Sequence, residues 1–159
     1  MPLPASVVPI ALPPIPALSA SARGAVWLSP DGEIETLTLA AAARRCADGP
    51  VLACHAGALA SRLGLGRIAA FDLLELFAFV RPAAFCLPTI RGLAQALGLP
   101  IPTGHEAEAV LLPQAAELLL GELAGIDRRY AGEAAVIAST RARGGWPWTA
   151  PVLSALGDV

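Results

Sequence analysis

Two histidines and a few carboxylates are the side chains of this sequence that could carry out acid–base chemistry. His55 follows the apolar run Val-Leu-Ala-Cys, and His105 opens a stretch rich in helix formers. A histidine acts as a general base when a neighbouring acid orients its ring, and the sequence pattern assigns such an acid to neither residue. We therefore expect structural roles for both, with general-base roles as the alternative.

Asp72 stands directly before an apolar run at 73–80, with Glu75 three residues further on. This spacing predicts an N-cap and a capping box at the start of a helix. Asp31 and Glu33 form the one literal Asp-x-Glu sequence, but they lie in Ser-Pro-Asp-Gly-Glu, which is typical of a turn. A hairpin turn is therefore favoured over a pair of metal ligands there.

The composition predicts one domain and excludes several kinds of site. The chain has 159 residues, of which 55% are hydrophobic and 15% charged, with a net charge of -2. This gives enough apolar surface for a core and no bulk attraction to nucleic acid. All eleven basic residues are arginine, so the lysine of a Walker-A ATP site is missing. Three scattered cysteines show no zinc spacing, and we expect reduced thiols and no metal in a cytoplasmic protein.

Residues 1–22 carry no charged side chain, and six prolines fall among the first sixteen residues. We expect a Pro-rich, disordered leader. An export signal is the alternative, but it would need a basic start and an uninterrupted apolar helix. No 18-residue span is apolar enough to cross a bilayer, so we expect no membrane partner.

The hydrophobic patterns alternate between strand and helix and so predict an α/β fold. A β-hairpin is predicted from 24–28 and 33–39, and a buried strand from 51–56. Predicted helices cover 40–47, a segment after residue 56, 73–80, 90–97 behind the cap Thr89, and a long helix ending near 124. A Thr103–Glu106 box should open the long helix, and Pro113 should kink or break it.

Residues 127–159 differ from the rest and predict a helical arm. They hold a basic amphipathic helix, a Trp-Pro-Trp corner and a last short helix. Tyr130, Trp146 and Trp148 are large amphipathic side chains of the kind that anchor interfaces. We expect this arm to pack on something outside the domain.

Residues 50–124 hold an ordered set of short motifs: Val-Leu-Ala-Cys-His-Ala, Asp-Leu-Leu-Glu-Leu at 72–76, Gly-Leu-Ala-Gln-Ala-Leu-Gly-Leu at 92–99 and His-Glu-Ala at 105–107. This order resembles the second half of the DEDD-type 3′–5′ exonuclease domain. The resemblance implies a small RNase H-like (DEDD exonuclease-like) mixed sheet flanked by helices over 23–126, followed by the helical C-terminal arm.

The stretch at 70–99, with Gly-Gly-Trp-Pro-Trp behind it, resembles the amino-terminal region of bacterial DinG-type ATP-dependent DNA helicases. The resemblance implies a helicase core in cis or in trans as a partner. ATP and Mg²⁺ would then belong to that parent helicase or to an active exonuclease, and no cofactor is expected for this chain. A downstream P-loop motif in the coding sequence would support this context.

The chain departs from the family at the positions that bind metal. Such exonucleases hold two divalent cations with four carboxylates. The second-motif asparagine is Ala56, its aspartate falls at Ala60 or Ser61, and the third-motif aspartate falls at Val110 or Leu111. The resemblance thus leaves His55, Asp72 and His105 as degenerate family positions, and we expect no catalysis.

Three functions follow as hypotheses. The first is a non-catalytic domain that positions single-stranded DNA or docks on the motor, with Arg62, Arg67, Arg81 and Arg91 as phosphate contacts. The second is an active metal-dependent 3′–5′ exonuclease that uses Asp31, Glu33, Asp72 and Glu108. The third is a protein-interaction module that binds through Tyr130, Trp146 and Trp148.

Overall fold

The computed structural model describes residues 10–157, and within them it shows an α/β fold with a five-stranded mixed sheet and seven helices. The strands are β1 (Ala17–Ser21), β2 (Gly24–Leu28), β3 (Ile34–Leu37), β4 (Val51–Ala53) and β5 (Ala70–Asp72). The helices are α1 (Leu39–Arg45), α2 (Ala56–Arg62), α3 (Leu73–Val80), α4 (Ile90–Leu97), α5 (His105–Ala124), α6 (Arg128–Ala142) and α7 (Thr149–Leu156).

The sheet combines an antiparallel ribbon with a parallel pair, in the strand order β3-β2-β1-β4-β5. β1 pairs antiparallel with β2 over its whole length, and β2 pairs antiparallel with β3, which confirms the predicted hairpin. β4 lies parallel to β1 and to β5. The carboxyl ends of β1, β4 and β5 therefore meet at one edge of the sheet, where open α/β sheets form their ligand crevices.

The central strand β1 corrects the expectation of a disordered leader over 1–22. Residues 17–21 pair with β2, Ala17 also pairs with Leu52 of β4, and Ala17, Leu18 and Ser19 are buried. Ala and Ser have low strand propensity, and burial between two neighbouring strands outweighs that propensity here. Residues 1–9 of the predicted leader lie outside the described part of the chain.

Two apolar cores lie on opposite faces of the sheet, so the domain has three layers. Helices α3, α4, α5 and α7 cover one face, where the largest cluster of buried side chains includes seven residues of α5. The other face is covered by α1 and α2, around Leu18, Val51, Ala53 and Leu59. Since side chains alternate along a strand, neighbouring residues of β1 supply both cores.

The predicted caps of α3 and α4 are confirmed. The Asp72 carboxylate accepts hydrogen bonds from the N–H groups of Leu74 and Glu75, and the Thr89 hydroxyl accepts one from the N–H of Gly92. Both helices have the predicted bounds, because these signals act within a few residues of the chain.

The predicted start of the long helix is wrong. α5 has Gly104 as its N-cap, with no side-chain cap bond, so Thr103 does not cap it. Pro113 does not break α5, which continues to Ala124. Proline removes one backbone hydrogen bond, and burial of the helix on the sheet outweighs that loss.

The Trp-Pro-Trp corner and α7 of the C-terminal arm pack on the domain itself, where the sequence predicts packing on something outside it. Trp148 is fully buried in the main core, and Val152 of α7 is buried in the same cluster. α7 lies against α5 and α6. Large apolar side chains of this kind can therefore complete a core as well as an interface. No helix among residues 10–157 has the length and apolar content needed to span a membrane.

Candidate functional site

Two adjoining cavities lie along the carboxyl end of β1 and share Ser19. The first, here named the arginine cleft, has a volume of about 280 Å³ and is lined by Leu18, Ser19, Ala20, Cys54, His55, Ala58, Leu59, Arg62, Pro88, Thr89, Ile90, Arg91 and Glu108. The second, named the β1 groove, has a volume of about 330 Å³ and is lined by Ser19, Ser21, Arg23, Gly24, Ala25, Val26, Thr36, His105 and Glu106. Together they form the candidate site.

His55 lines the arginine cleft and has the structural role expected for it. Its Nδ1 accepts a hydrogen bond from the N–H of Ala58 at 3.0 Å, which caps α2. A ring nitrogen that accepts a hydrogen bond carries no proton, so the proton of the neutral ring is on Nε2. The imidazole therefore has one N–H left to donate to a ligand.

Two of the four predicted arginines meet in the arginine cleft. Arg62 ends α2 and Arg91 is the second residue of α4, so two separate elements bring their side chains to one cavity. Neither guanidinium forms an ion pair with any residue in the described part of the chain. Both retain free donors for an anion.

The other two predicted arginines lie elsewhere. The Arg81 guanidinium forms an ion pair with Glu122, with Nε at 3.0 Å from Oε2, and also donates to the carbonyl of Ala96 at 3.0 Å. These bonds tie α3 to α5 and α4, so a structural role replaces the predicted phosphate contact. Arg67 lines a different and larger cavity of about 970 Å³, between β5 and the α6–α7 turn.

Ser19, Glu108 and His105 form a polar cluster where the two cavities meet. The buried hydroxyl of Ser19 donates to Glu108 Oε2 at 3.5 Å, and His105 Nδ1 lies 3.9 Å from the same oxygen. Glu108 is the one carboxylate on the lining of the arginine cleft. The cleft therefore brings two guanidinium groups against a single acid.

Asp72 has a capping role, as its sequence position predicts. One carboxylate oxygen caps α3, and the other accepts the N–H of Ala56 at 2.9 Å at the start of α2. These bonds hold the two helices that follow β4 and β5 in fixed relation.

The acids of the exonuclease alternative are dispersed. Asp31 and Glu33 lie in the β2–β3 turn, where Gly32 N–H donates to the Ser29 carbonyl and Ser29 N–H donates to the Glu33 carbonyl. Asp31 lines a fourth cavity, and Glu108 lines the arginine cleft. Within residues 10–157, no three His, Cys, Asp or Glu side chains come together in a group that could hold a metal ion.

The three aromatic residues of the predicted interaction arm differ in exposure. Trp148 is fully buried, and its indole N–H donates to the carbonyl oxygen of Asp72 at 2.8 Å. Trp146 is half-buried and donates to a carboxylate oxygen of Glu75 at 3.2 Å. Tyr130 alone is exposed. The two tryptophans thus hold the arm on α3 and β5 and do not form a free docking surface.

The thiols of the chain are free and largely shielded. Cys46 and Cys54 are buried, and Cys86 is half-buried. Burial raises the pKa of the Cys54 thiol to about 12, with smaller contributions from Asp72 and Cys86. A thiol with a raised pKa is a poor nucleophile at neutral pH.

Ser19 and Arg23 are site residues that the sequence reasoning missed. Ser19 lay inside the predicted leader, and Arg23 lay at its boundary. The signal that could have found them is the short run 17–21 between Pro16 and the predicted hairpin, which pairs with β2 through a two-residue turn.

Comparison with protein-family models, with curated proteins and with solved structures found no match to this chain.

Proposed function

We propose that this chain is a non-catalytic, exonuclease-like domain that holds single-stranded DNA, and that it works with a DinG-type helicase core. The observation that carries the proposal is the arginine cleft. Arg62 and Arg91 both line it without ion-pair partners among the described residues, and Arg23 lies on the lining of the adjoining β1 groove together with Glu106. Arginine forks match the oxygens of phosphate groups, which dominate affinity for DNA.

The sheet supports an RNase H-like assignment. Its ribbon of three antiparallel strands continues into two parallel strands, with helices on both faces, as expected for a mixed RNase H-like sheet. The motif segments adjoin one edge of that sheet: His55 follows β4, Asp72 ends β5, and His105 starts α5 beside β1. These are the relative positions that the resemblance implies.

The first strand supports the loss of catalysis. The exonucleases that the sequence resembles carry their first Asp-x-Glu motif within the first strand. β1 here reads Ala-Leu-Ser-Ala-Ser, so Ser19 and Ser21 stand at that spacing in place of two acids. A serine hydroxyl supplies no charge to a divalent cation, and Glu108 alone would leave two cations uncompensated.

The proposal is tested by the binding of a labelled single-stranded oligonucleotide in EDTA, followed by fluorescence anisotropy. We expect the dissociation constant to rise steeply with salt, because each phosphate contact releases counterions. Arg62→Ala and Arg91→Ala should each weaken binding and lower the salt slope by about 0.7 for a single strand. Arg128→Ala on helix α6, which contributes no residue to the lining of either cavity, is the matched control and should change neither the dissociation constant nor the salt slope. Absence of binding at low salt would refute the proposal.

A second candidate function, docking on a protein partner, is favoured by one observation. Helix α6 exposes Tyr130, Val136 and Ile137, and among its residues only Ala131 and Ala138 are buried. Exposed apolar residues on one helix are typical of an interface. Val136→Ser with Ile137→Ser should abolish co-sedimentation with a DinG-type helicase core, and it should leave oligonucleotide binding unchanged. Unaltered co-sedimentation would remove this candidate.

A further inference from the structure

The size of the arginine cleft limits what it can hold. Its volume of about 280 Å³ lies just below the usual range of about 300–1,000 Å³ for ligand pockets. One phosphate with part of its sugar fits such a space, whereas several nucleotides of a strand do not. The cleft by itself therefore suits a single phosphate group.

The donors of the cleft come from three directions. Arg62 lies at the end of α2, Arg91 in the first turn of α4, and His55 before α2. The two guanidinium groups each present a planar fork, and the imidazole adds the N–H that its cap bond leaves free. α4 also begins at the cleft wall, and the positive end of its dipole adds to the attraction for an anion.

The charge of the ligand follows from these donors. A phosphodiester inside a strand carries one negative charge, whereas a phosphomonoester at a strand end carries about 1.5 to 2 near neutral pH and has three acceptor oxygens. Two forks and one further N–H can satisfy three oxygens of a monoester, but a diester offers only two unesterified oxygens. We infer that the arginine cleft binds a terminal phosphomonoester of a nucleic-acid strand, an inference that rests on the proposed function.

The negative charge of Glu108 disfavours a phosphate in the cleft, and a substitution at this position therefore tests the inference. Its carboxylate lies on the same lining and is held by the Ser19 hydroxyl. A phosphate in the cleft would be repelled by this charge, so the two arginines must outweigh it. Glu108→Gln removes the repulsion while it keeps the side-chain shape. The Glu108→Gln variant should bind the phosphate more tightly. If Arg62 and Arg91 had only a structural role, this substitution would not change phosphate binding.

The experiment compares oligonucleotides that differ only at one end. Internally labelled ten-nucleotide strands with a 3′-phosphate, a 5′-phosphate or two hydroxyl ends are titrated in EDTA, and deoxythymidine monophosphate and inorganic phosphate serve as competitors. We expect one phosphorylated end to improve affinity about tenfold or more over the hydroxyl strand, because charge-assisted hydrogen bonds to phosphate are strong. Deoxythymidine monophosphate should compete for the site.

Variants locate the effect in the cleft. Arg62→Gln and Arg91→Gln should each abolish the advantage of the phosphorylated end, and Arg62→Lys should recover only part of it, because lysine lacks the fork. Arg67→Gln, in the separate large cavity, is the matched control and should retain the full advantage. Circular dichroism confirms that each variant is folded before its affinity is compared.

The outcomes separate this inference from the proposed function. Equal affinity for phosphorylated and hydroxyl ends, with salt-dependent binding of both, would overturn the inference and leave DNA binding in place. Binding of the mononucleotide without binding of any strand would retain a phosphomonoester site, but it would overturn both its strand-end source and the proposed function. Failure of Glu108→Gln to tighten phosphate binding would also overturn the inference.

Discussion

Trp148 joins the C-terminal helices to the sheet, and its removal gives a quantitative test of whether the arm belongs to the domain. The side chain is fully buried, its N–H donates to the Asp72 carbonyl at 2.8 Å, and its ring meets Phe71 edge-on at 5.2 Å between centroids. Truncation of a buried aromatic side chain to alanine costs about 3–5 kcal/mol. Since domains are stable by about 5–15 kcal/mol, Trp148→Ala should lose a large part of the unfolding free energy.

Trp148→Phe separates the hydrogen bond from the packing. Phenylalanine keeps a ring against Phe71 but leaves the Asp72 carbonyl without its donor, and an unsatisfied buried polar group costs about 1–3 kcal/mol. The exposed Tyr130 is the control, because Tyr130→Ala should change stability by no more than about 0.5 kcal/mol.

Urea unfolding followed by far-ultraviolet circular dichroism is the assay, since the substitution removes one of the fluorescent side chains. The urea midpoint should fall in the order wild type, Trp148→Phe, Trp148→Ala, with an unchanged slope. A loss of less than about 1 kcal/mol in Trp148→Ala would refute the assignment of the arm to the core. A second unfolding transition in the wild-type protein would refute it equally, because it would show that the arm unfolds independently.

Three further changes test other parts of the structure. Burial raises the pKa of the Cys54 thiol to about 12. Above the ordinary thiol pKa of about 8.5, only the unfolded chain therefore releases this proton. The unfolding free energy should then fall by up to about 1.4 kcal/mol for each pH unit. Cys54→Ala should reduce that fall in urea titrations at pH 8 and pH 10, and an identical fall would contradict the burial. A methyl group on Gly92 would lie 2.5 Å from the Leu87 carbonyl oxygen. Gly92→Ala should therefore lower the unfolding free energy measured in urea by about 1–3 kcal/mol. An unchanged free energy would contradict this packing. Asp72→Ala should lower the unfolding free energy by at least about 1 kcal/mol, because it removes the cap of α3 and the bond to the start of α2. Asp72→Asn should lower the unfolding free energy by less. Equal losses in the two variants would argue against the capping role.

Local signals account for the parts of the fold that the sequence predicts well. The bounds of α3 and α4 follow from Asp72, Thr89 and Gly98, because a cap acts on N–H or carbonyl groups within one turn. The β2–β3 hairpin follows from turn residues between an apolar run and an alternating run. Each of these elements is specified within about ten residues of chain.

Elements that depend on distant contacts were not predictable in the same way. β1 consists of Ala, Leu and Ser, and β5 has three residues, so neither has a strong strand signal. β5 becomes a strand by pairing with β4, and the other edge of β1 is covered by β4, which lies far along the chain. The exposed start of α5 at Gly104 likewise replaced a capping box that the local sequence favoured.

The candidate site also combines features set by the local sequence with features set by distant contacts. The sequence identifies Arg62 and Arg91 as phosphate-binding candidates, but it also gives equal weight to Arg67 and Arg81. Only the packing of α2 and α4 around β1 brings the first two into one cleft, while α5 supplies the acid that pairs with Arg81. The arginine residue type predicts phosphate binding, and the topology of the fold determines which of the four arginines line the cleft.

The central position of β1 also governs the order in which the sheet can assemble on the ribosome. β1, β2 and β3 emerge first and are joined by tight turns, so their hydrogen bonds link residues that are close along the chain and form quickly. β4 begins only at Val51, and until it is synthesised the second edge of β1 has no neighbour. During that interval two nascent chains could pair through their β1 edges, so the speed with which β4 joins protects the newly made protein from aggregation.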